Sequence, residues 1–145
     1  MSKWAQGVYQ VINQAKYVGN GMPRYRSGWE HSFMRFCDTN DNILQWASES
    51  INIPYRNPIT GKQSIYVPDF LITYRDKNNQ LKAEMIEIKP KKQSVEPVKK
   101  KRMTKQYLHE VVTWGVNQAK WKAATEYALD RGWEFKVLTE EHLGL

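Results

Sequence analysis

Two strand-like runs at the centre of the chain constrain it most. SIYVPDFLITYR, residues 64–75, and LKAEMIEIK, residues 81–89, are separated only by the polar stretch DKNNQ. Both are rich in β-branched or aromatic side chains, which suit strands. A connection of five residues returns a chain on itself as an antiparallel hairpin. In such a pair, opposed residue numbers add to a constant. A loop centred on Asn78 sets that constant at 156, so Asp69 stands opposite Glu87. Opposed side chains share a face, with Cβ atoms about 5 Å apart. Lys89 lies one step further along the same face, because alternate residues of a strand point the same way. Met85, Ile86 and Ile88 mark this strand as a core strand. An acid and a base inside such a run call for a chemical reason.

Two carboxylates held that close repel each other, and one of them resists ionisation. A divalent cation removes the conflict. Carboxylate oxygens are hard ligands, and Mg²⁺ binds through one or two of them while keeping waters. Such an ion generates a nucleophilic water and polarises a phosphoryl oxygen. The Lys89 ammonium can orient that water or offset charge growing on the phosphate. Asp69, Glu87 and Lys89 therefore suit phosphodiester hydrolysis with Mg²⁺, and Mn²⁺ as its substitute. The structural alternative is a cross-strand salt-bridge cluster without chemistry. Glu-x-Lys spacing alone is a weak signal. A second instance, Glu134-Phe135-Lys136, has no Pro-Asp partner in hairpin register and is set aside. Pro68-Asp69 occurs once, at the position the turn demands.

A further acid stands upstream. SGWEHSFMRFCD reads as a helix, with Phe33, Met34 and Cys37 at helical spacing. Glu30 lies on the same stripe, where an unpaired charge is costly. It fits a metal or water ligand reaching towards the hairpin. It also fits a capping box, with Ser27 as N-cap and Glu30 three residues on.

The remaining chain supplies the other elements. ILQWASESINIPYRN, residues 43–57, reads as one strand and residues 64–75 as the next, with NPITGK as the turn between them. Residues 103–131 are helical, with an interruption near Gly115, and Gly132 is a helix stop. WEFKVLT is a last strand. The predicted order is α-β-β-β-α-β in one domain of 145 residues. Residues 1–24 form an N-terminal arm, where VYQVIN suggests a short strand and YVGNGMPR a loop.

Composition narrows the partners. The net charge is +7 and the pI about 9.5, which favours a polyanion, with double-stranded DNA first. Residues 90–102, PKKQSVEPVKKKR, form a basic connection directly after the Glu-x-Lys strand. Lys91, Lys92, Lys99, Lys100, Lys101 and Arg102 are its candidate phosphate contacts, Lys91 and Lys92 being nearest the site. The alternative is a solvated linker. On the long helix, Val111, Trp114, Gln118, Trp121, Thr125 and Ala128 form one stripe, predicted to face the core. Gln118 is polar on that stripe and a candidate to touch the site. Lys120 is a candidate phosphate contact. Cys37 is the only cysteine, so no internal disulfide is available. The histidines have no zinc-site spacing, and no glycine-rich phosphate loop points to a nucleotide cofactor. No run approaches the ~18 apolar residues of a membrane span, and MSKWAQGVYQ lacks a signal-peptide core.

These residues resemble the PD-(D/E)xK nuclease superfamily. Its core carries an acid on the first helix, Pro-Asp on the second strand and Glu-x-Lys on the third. The chain is also similar to the head-completion nucleases of T-even-type tailed bacteriophages. YRSGWE, FCDTN, YVPDF, EIKPKKQ, and WGVNQAKWKAA followed by RGWEF carry that likeness, from about residue 16 to 138. The resemblance implies an αβββαβ restriction-endonuclease-like core, with a mixed central sheet flanked by helices. It implies a catalytic set of Glu30, Asp69, Glu87 and Lys89, with Mg²⁺ as cofactor. It further implies an endonuclease acting late in phage head assembly on packaged DNA or its end, with portal or neck proteins as partners. The expected location is the infected host cytoplasm, with association to the virion. Two alternatives stay open. One is a head or neck component that keeps the fold for DNA or portal binding without cleaving. The other is a TnsA-like or repair nuclease, which shares the core motifs but less of the flanking sequence.

Overall fold

A computed structural model describes residues 6–143. Its elements in chain order are β1 (Gly7–Val8), β2 (Arg24–Tyr25), α1 (Gly28–Thr39), β3 (Ile43–Ser48), β4 (Ile53–Arg56), β5 (Gln63–Tyr66), β6 (Phe70–Arg75), β7 (Leu81–Ile88), α2 (Lys105–Asp130) and β8 (Glu134–Leu138). The central sheet runs β3-β6-β7-β8. β6 pairs antiparallel with both β3 and β7, while β8 joins β7 in parallel. The sheet is mixed and flanked by two helices, as expected of a restriction-endonuclease-like core.

The hairpin β6–β7 forms in the predicted register. Phe70 pairs with Ile86, Ile72 with Glu84 and Arg75 with Leu81, each pair adding to 156. Its loop closes on itself. Asp76 N donates to Gln80 O at 2.9 Å, and the Asp76 carboxylate accepts from Asn78 N and Gln80 N. This is the local hydrogen bonding that favours Asp in turns.

Alternation along β7 divides the core in two. Ile86 and Ile88 join Phe33, Met34 and Cys37 of α1, with Trp46, Phe70 and Ile72, on one face. Met85 joins Ile53, Tyr55 and Tyr66 with Ala124 and Ala128 of α2 on the other. Each face holds an apolar layer, so both helices are clamped by burial. The Cys37 thiol is fully buried, and burial raises its pKa.

Three expectations need correction. The run 43–57 and the run 64–75 are not single strands. Each breaks, and the middle pieces leave the sheet as a separate hairpin, β4–β5, with Ile53 opposite Tyr66. The first break falls at Glu49, which adopts a left-handed φ of 49°. The second falls at the buried Pro68, which has no N–H to give a ladder. The long helix is not interrupted at Gly115. It runs from N-cap Thr104, whose side chain accepts from Tyr107 N at 3.1 Å, to Asp130. Gly132, at φ 73°, ends it as predicted. The stripe on α2 is also rotated. Tyr107, Asn117, Ala124 and Ala128 are buried, whereas Val111, Gln118 and Thr125 are exposed. Small residues let the helix approach the sheet, and the bulkier Trp114 and Trp121 sit half-buried at its margin.

The N-terminal arm is tied down by one buried acid. Tyr9 OH and Ile12 N each donate to Asp38 Oδ2 at 2.7 Å, and Asn13 N donates to Oδ1 at 2.9 Å. Of the predicted strand 8–13, only Val8 lies in a strand, the two-residue β1 paired with β2. Residues 1–5 of the arm lie outside the described residues. Burial works against the Asp38 charge, yet the three donors outweigh it and lower its pKa. A depressed carboxyl contributes stability above its ordinary value of 3.8, lost as pH falls through the folded value. Asp38→Asn turns an amide N–H towards these donors. It should cost about 2–3 kcal/mol in urea unfolding at pH 7, with the difference from wild type narrowing below pH ~4.

Candidate active site

The site lies where β6 begins and β7 ends. One step beyond the Phe70–Ile86 pair, the register sets Asp69 opposite Glu87. Asp69 Oδ2 accepts from Ile88 N at 2.7 Å, and Asp69 O accepts from Glu49 N at 2.9 Å. The residue is thus pinned from both neighbouring strands. Glu87 is buried, with Oε1 accepting from Tyr66 OH at 2.7 Å. Lys89 Nζ stands 3.6 Å from Glu87 Oε2, and its side chain keeps 28% of its exposure. Lys89 N donates to Leu138 O at 2.9 Å, which holds the strand end against β8. Asp69, Glu87 and Lys89 are therefore brought together.

The electrostatics are those of a desolvated acid pair. Burial pushes the Asp69 carboxyl well above its usual range, and the charges of Glu87 and Glu30 push it further. Burial also raises Glu87, opposed by the Tyr66 hydrogen bond and the Lys89 charge. The Tyr66 phenol is raised by burial and by the Glu87 charge, so it stays a donor.

Glu30 occupies both of the places expected of it, in part. Its N–H donates to Ser27 Oγ at 3.1 Å, and Ser27 Oγ stands 3.4 Å from Glu30 Oε2, so the Ser27 half of the capping box forms. Burial raises its pKa, opposed by Arg26 and Ser27. It acts on Asp69 through its charge. Among the described residues, no three His, Cys, Asp or Glu side chains lie close enough together to hold a metal ion.

The remaining candidates divide. Lys120, half-buried on α2, holds its ammonium 5.8 Å from the Tyr66 ring centroid and 6.0 Å from that of Tyr55. Gln118 is exposed, and the buried amide of that turn is Asn117. Lys91 Nζ pairs with Glu141 at 2.8 Å. Lys92, Lys99, Lys100, Lys101 and Arg102 are exposed along the basic connection. In the second Glu-x-Lys, Lys136 pairs with the buried Glu84 at 2.8 Å and with Glu134 at 3.6 Å. That motif is a structural ion-pair cluster across β7 and β8.

Two residues of the site escape the sequence reading. Tyr66 is three positions before Asp69, so simple alternation aims it at the opposite face; the break at Pro68 reverses that. Arg26 pairs with Glu49, and its charge is felt at both Glu30 and Asp69. Its place in YRSGWE, four residues before Glu30, is the only local hint.

The acid pair has a measurable consequence. A carboxyl with a raised folded pKa stabilises the fold fully below its ordinary value, 3.8 for Asp69. That contribution is lost as pH rises through the folded value. With divalent ions chelated at pH 8, Asp69→Asn should therefore raise the thermal midpoint, by roughly 2–6 °C. The gain should vanish near pH 4. Differential scanning fluorimetry across pH reads both.

The TnsA-like endonuclease N-terminal family model matches residues 40–140, which hold Asp69, Glu87 and Lys89. The Head completion nuclease of Enterobacteria phage T4 is 41% identical over 142 residues, spanning 94% of this chain and 92% of that protein. No described helix is long and apolar enough to cross a membrane. With opposed acids and a lysine at the strand ends of a mixed sheet, the chain belongs to the TnsA-like endonuclease family, a branch of the PD-(D/E)xK nucleases.

Proposed function

We propose that this protein is a Mg²⁺-dependent DNA endonuclease that acts in phage head completion. The observation that carries the proposal is the opposed pair Asp69 and Glu87 with the Lys89 ammonium 3.6 Å from Glu87. Glu87 is buried and Asp69 half-buried, and the Glu87 charge raises the cost of ionising Asp69. A hard cation relieves that cost, and Mg²⁺ asks for only one or two carboxylates. Asp69 has one oxygen committed to Ile88 N. Glu87 has one committed to Tyr66 OH. Each keeps a second oxygen towards the ion, that of Glu87 also facing Lys89 Nζ at 3.6 Å. Glu30, displaced onto the cap of α1, is assigned to the same ion through water. When bound, Mg²⁺ supplies a more acidic water and polarises the scissile phosphate.

The protein's own groups do the rest. Tyr66 fixes the rotamer of Glu87. Lys89, partly exposed beside Glu87, can hold the attacking water or take up charge on the phosphate. Lys92, Lys99, Lys100, Lys101 and Arg102 lie next in sequence and can carry the flanking backbone. Lys91 joins them only on leaving Glu141. Lys120, above Tyr66, adds positive potential behind the acids. The head completion nuclease of phage T4 supports a place in head completion; packaged DNA as substrate, and portal or neck proteins as neighbours in the infected cell or virion, belong to our proposal.

Incubation with supercoiled plasmid tests the proposal. Wild-type protein should nick it with Mg²⁺ or Mn²⁺ and not with EDTA. Asp69→Ala and Lys89→Ala should each lower the rate by about 10²–10³-fold. Equal nicking by Asp69→Ala would remove the catalytic assignment. DNA binding without nicking by any form would favour a structural head component.

A further inference from the structure

A cavity of about 560 Å³ opens between the segment after β7 and one side of α2. Pro90, the residue after Lys89, is part of its wall, whereas Asp69 and Glu87 are not. Val95, Pro97, Val98 and Trp114 give it an apolar lining, in which Lys92 and Lys100 are matched by Glu96 and Glu110; the excess positive charge comes from Lys99, Lys101 and Arg102 beside it. The apolar side chains are not there for the core. Val95 is 48% exposed, Val98 78% and nearby Met103 67%. They flank the unbroken run Lys99, Lys100, Lys101 and Arg102 along one stretch of chain.

Intact duplex DNA explains only half of this pattern. Its phosphates would engage the lysines, but its bases are stacked and paired, away from a protein cavity. Exposed valines and a half-buried Trp gain nothing from it. An unpaired strand offers both chemistries, phosphates for the lysines and flat apolar bases for Trp114 and the valines. Basic grooves lined with stacking side chains are how proteins hold single strands. The volume falls in the range of pockets that take ligand-sized groups, about 300–1,000 Å³. A strand with its phosphate at Lys89 has its neighbouring nucleotide beside Pro90.

We propose that this cavity takes an unpaired nucleotide of the strand being cut. The enzyme then prefers DNA with a single-stranded tail, fork or frayed end over intact duplex. This inference rests on the nuclease assignment and adds the substrate class to it.

Fluorescence anisotropy with the wild-type chain, divalent ions chelated and salt fixed, tests it. Three DNAs are compared: a blunt duplex, the duplex with a short single-stranded tail, and the same tail built of abasic sites. The tailed duplex should bind about tenfold tighter than the blunt one, and the abasic tail should lose that gain. Trp114→Ala should abolish the preference. Val98→Ser, at a position 78% exposed, should reduce it about threefold. Equal affinity for the base-bearing and abasic tails would overturn the inference. So would a preference untouched by both variants, which would leave the cavity to a protein partner. Plasmid nicking by wild type separates the two claims. Nicking without tail preference sinks the cavity assignment alone; tail preference without nicking sinks the nuclease assignment.

Discussion

A slip of one residue between β6 and β7 would dismantle the site. Alternate strand residues face opposite ways, so a slip would set Glu87 against a different partner and part it from Asp69. The slip is prevented from two ends. At one end the Asp76 carboxylate gathers the loop amides. At the other, Ile88 N donates to the Asp69 carboxylate itself. In between, Phe70, Ile72 and Ile86 must face the α1 layer while Leu71 and Met85 face the α2 layer. Hydrophobic burial on both faces thus fixes the place of two charged groups it does not contain.

The register forces a conflict that the surroundings soften without resolving. Tyr66 and Lys89 favour the ionised form of Glu87, and Ile88 N favours that of Asp69. Burial still dominates at both. A fold that needed only a cross-strand ion pair has a quieter solution in the same sheet. Lys136 reaches Glu84 at 2.8 Å across β7 and β8, with one acid buried and its cation at the edge. The second acid there, Glu134, is exposed, whereas Asp69 and Glu87 are both withdrawn from solvent and share one more distant cation. That imbalance is what a bound metal ion and a phosphate would correct.

Local chemistry made much of this legible. The hairpin register follows from five polar residues between two apolar runs, and α1 follows from Ser27, Glu30 and the spacing of Phe33, Met34 and Cys37. What stayed hidden depends on contacts across the fold. The excursion of β4 and β5 turns on a left-handed Glu49 and a buried Pro68, neither of which announces a change of sheet. Tyr66 reaches Glu87 only because of that excursion. The buried face of α2 is hidden in the sequence because Trp114 and Trp121 dominate the periodicity, whereas Ala124 and Ala128 make the close approach. Glu30 shows the limit of a motif, since its sequence position is equally that of a cap and of a site acid, and the structure uses it as a cap while its charge acts on Asp69.

Diffraction from crystals soaked in Mn²⁺, with data at the manganese edge, addresses the acid pair most directly. The anomalous map should show its strongest peak between the side chains of Asp69 and Glu87, and that peak should disappear in Asp69→Asn. A map without a peak there, or with its strongest peak at another cluster, would contradict the claim that these two carboxylates face each other to hold a hard cation.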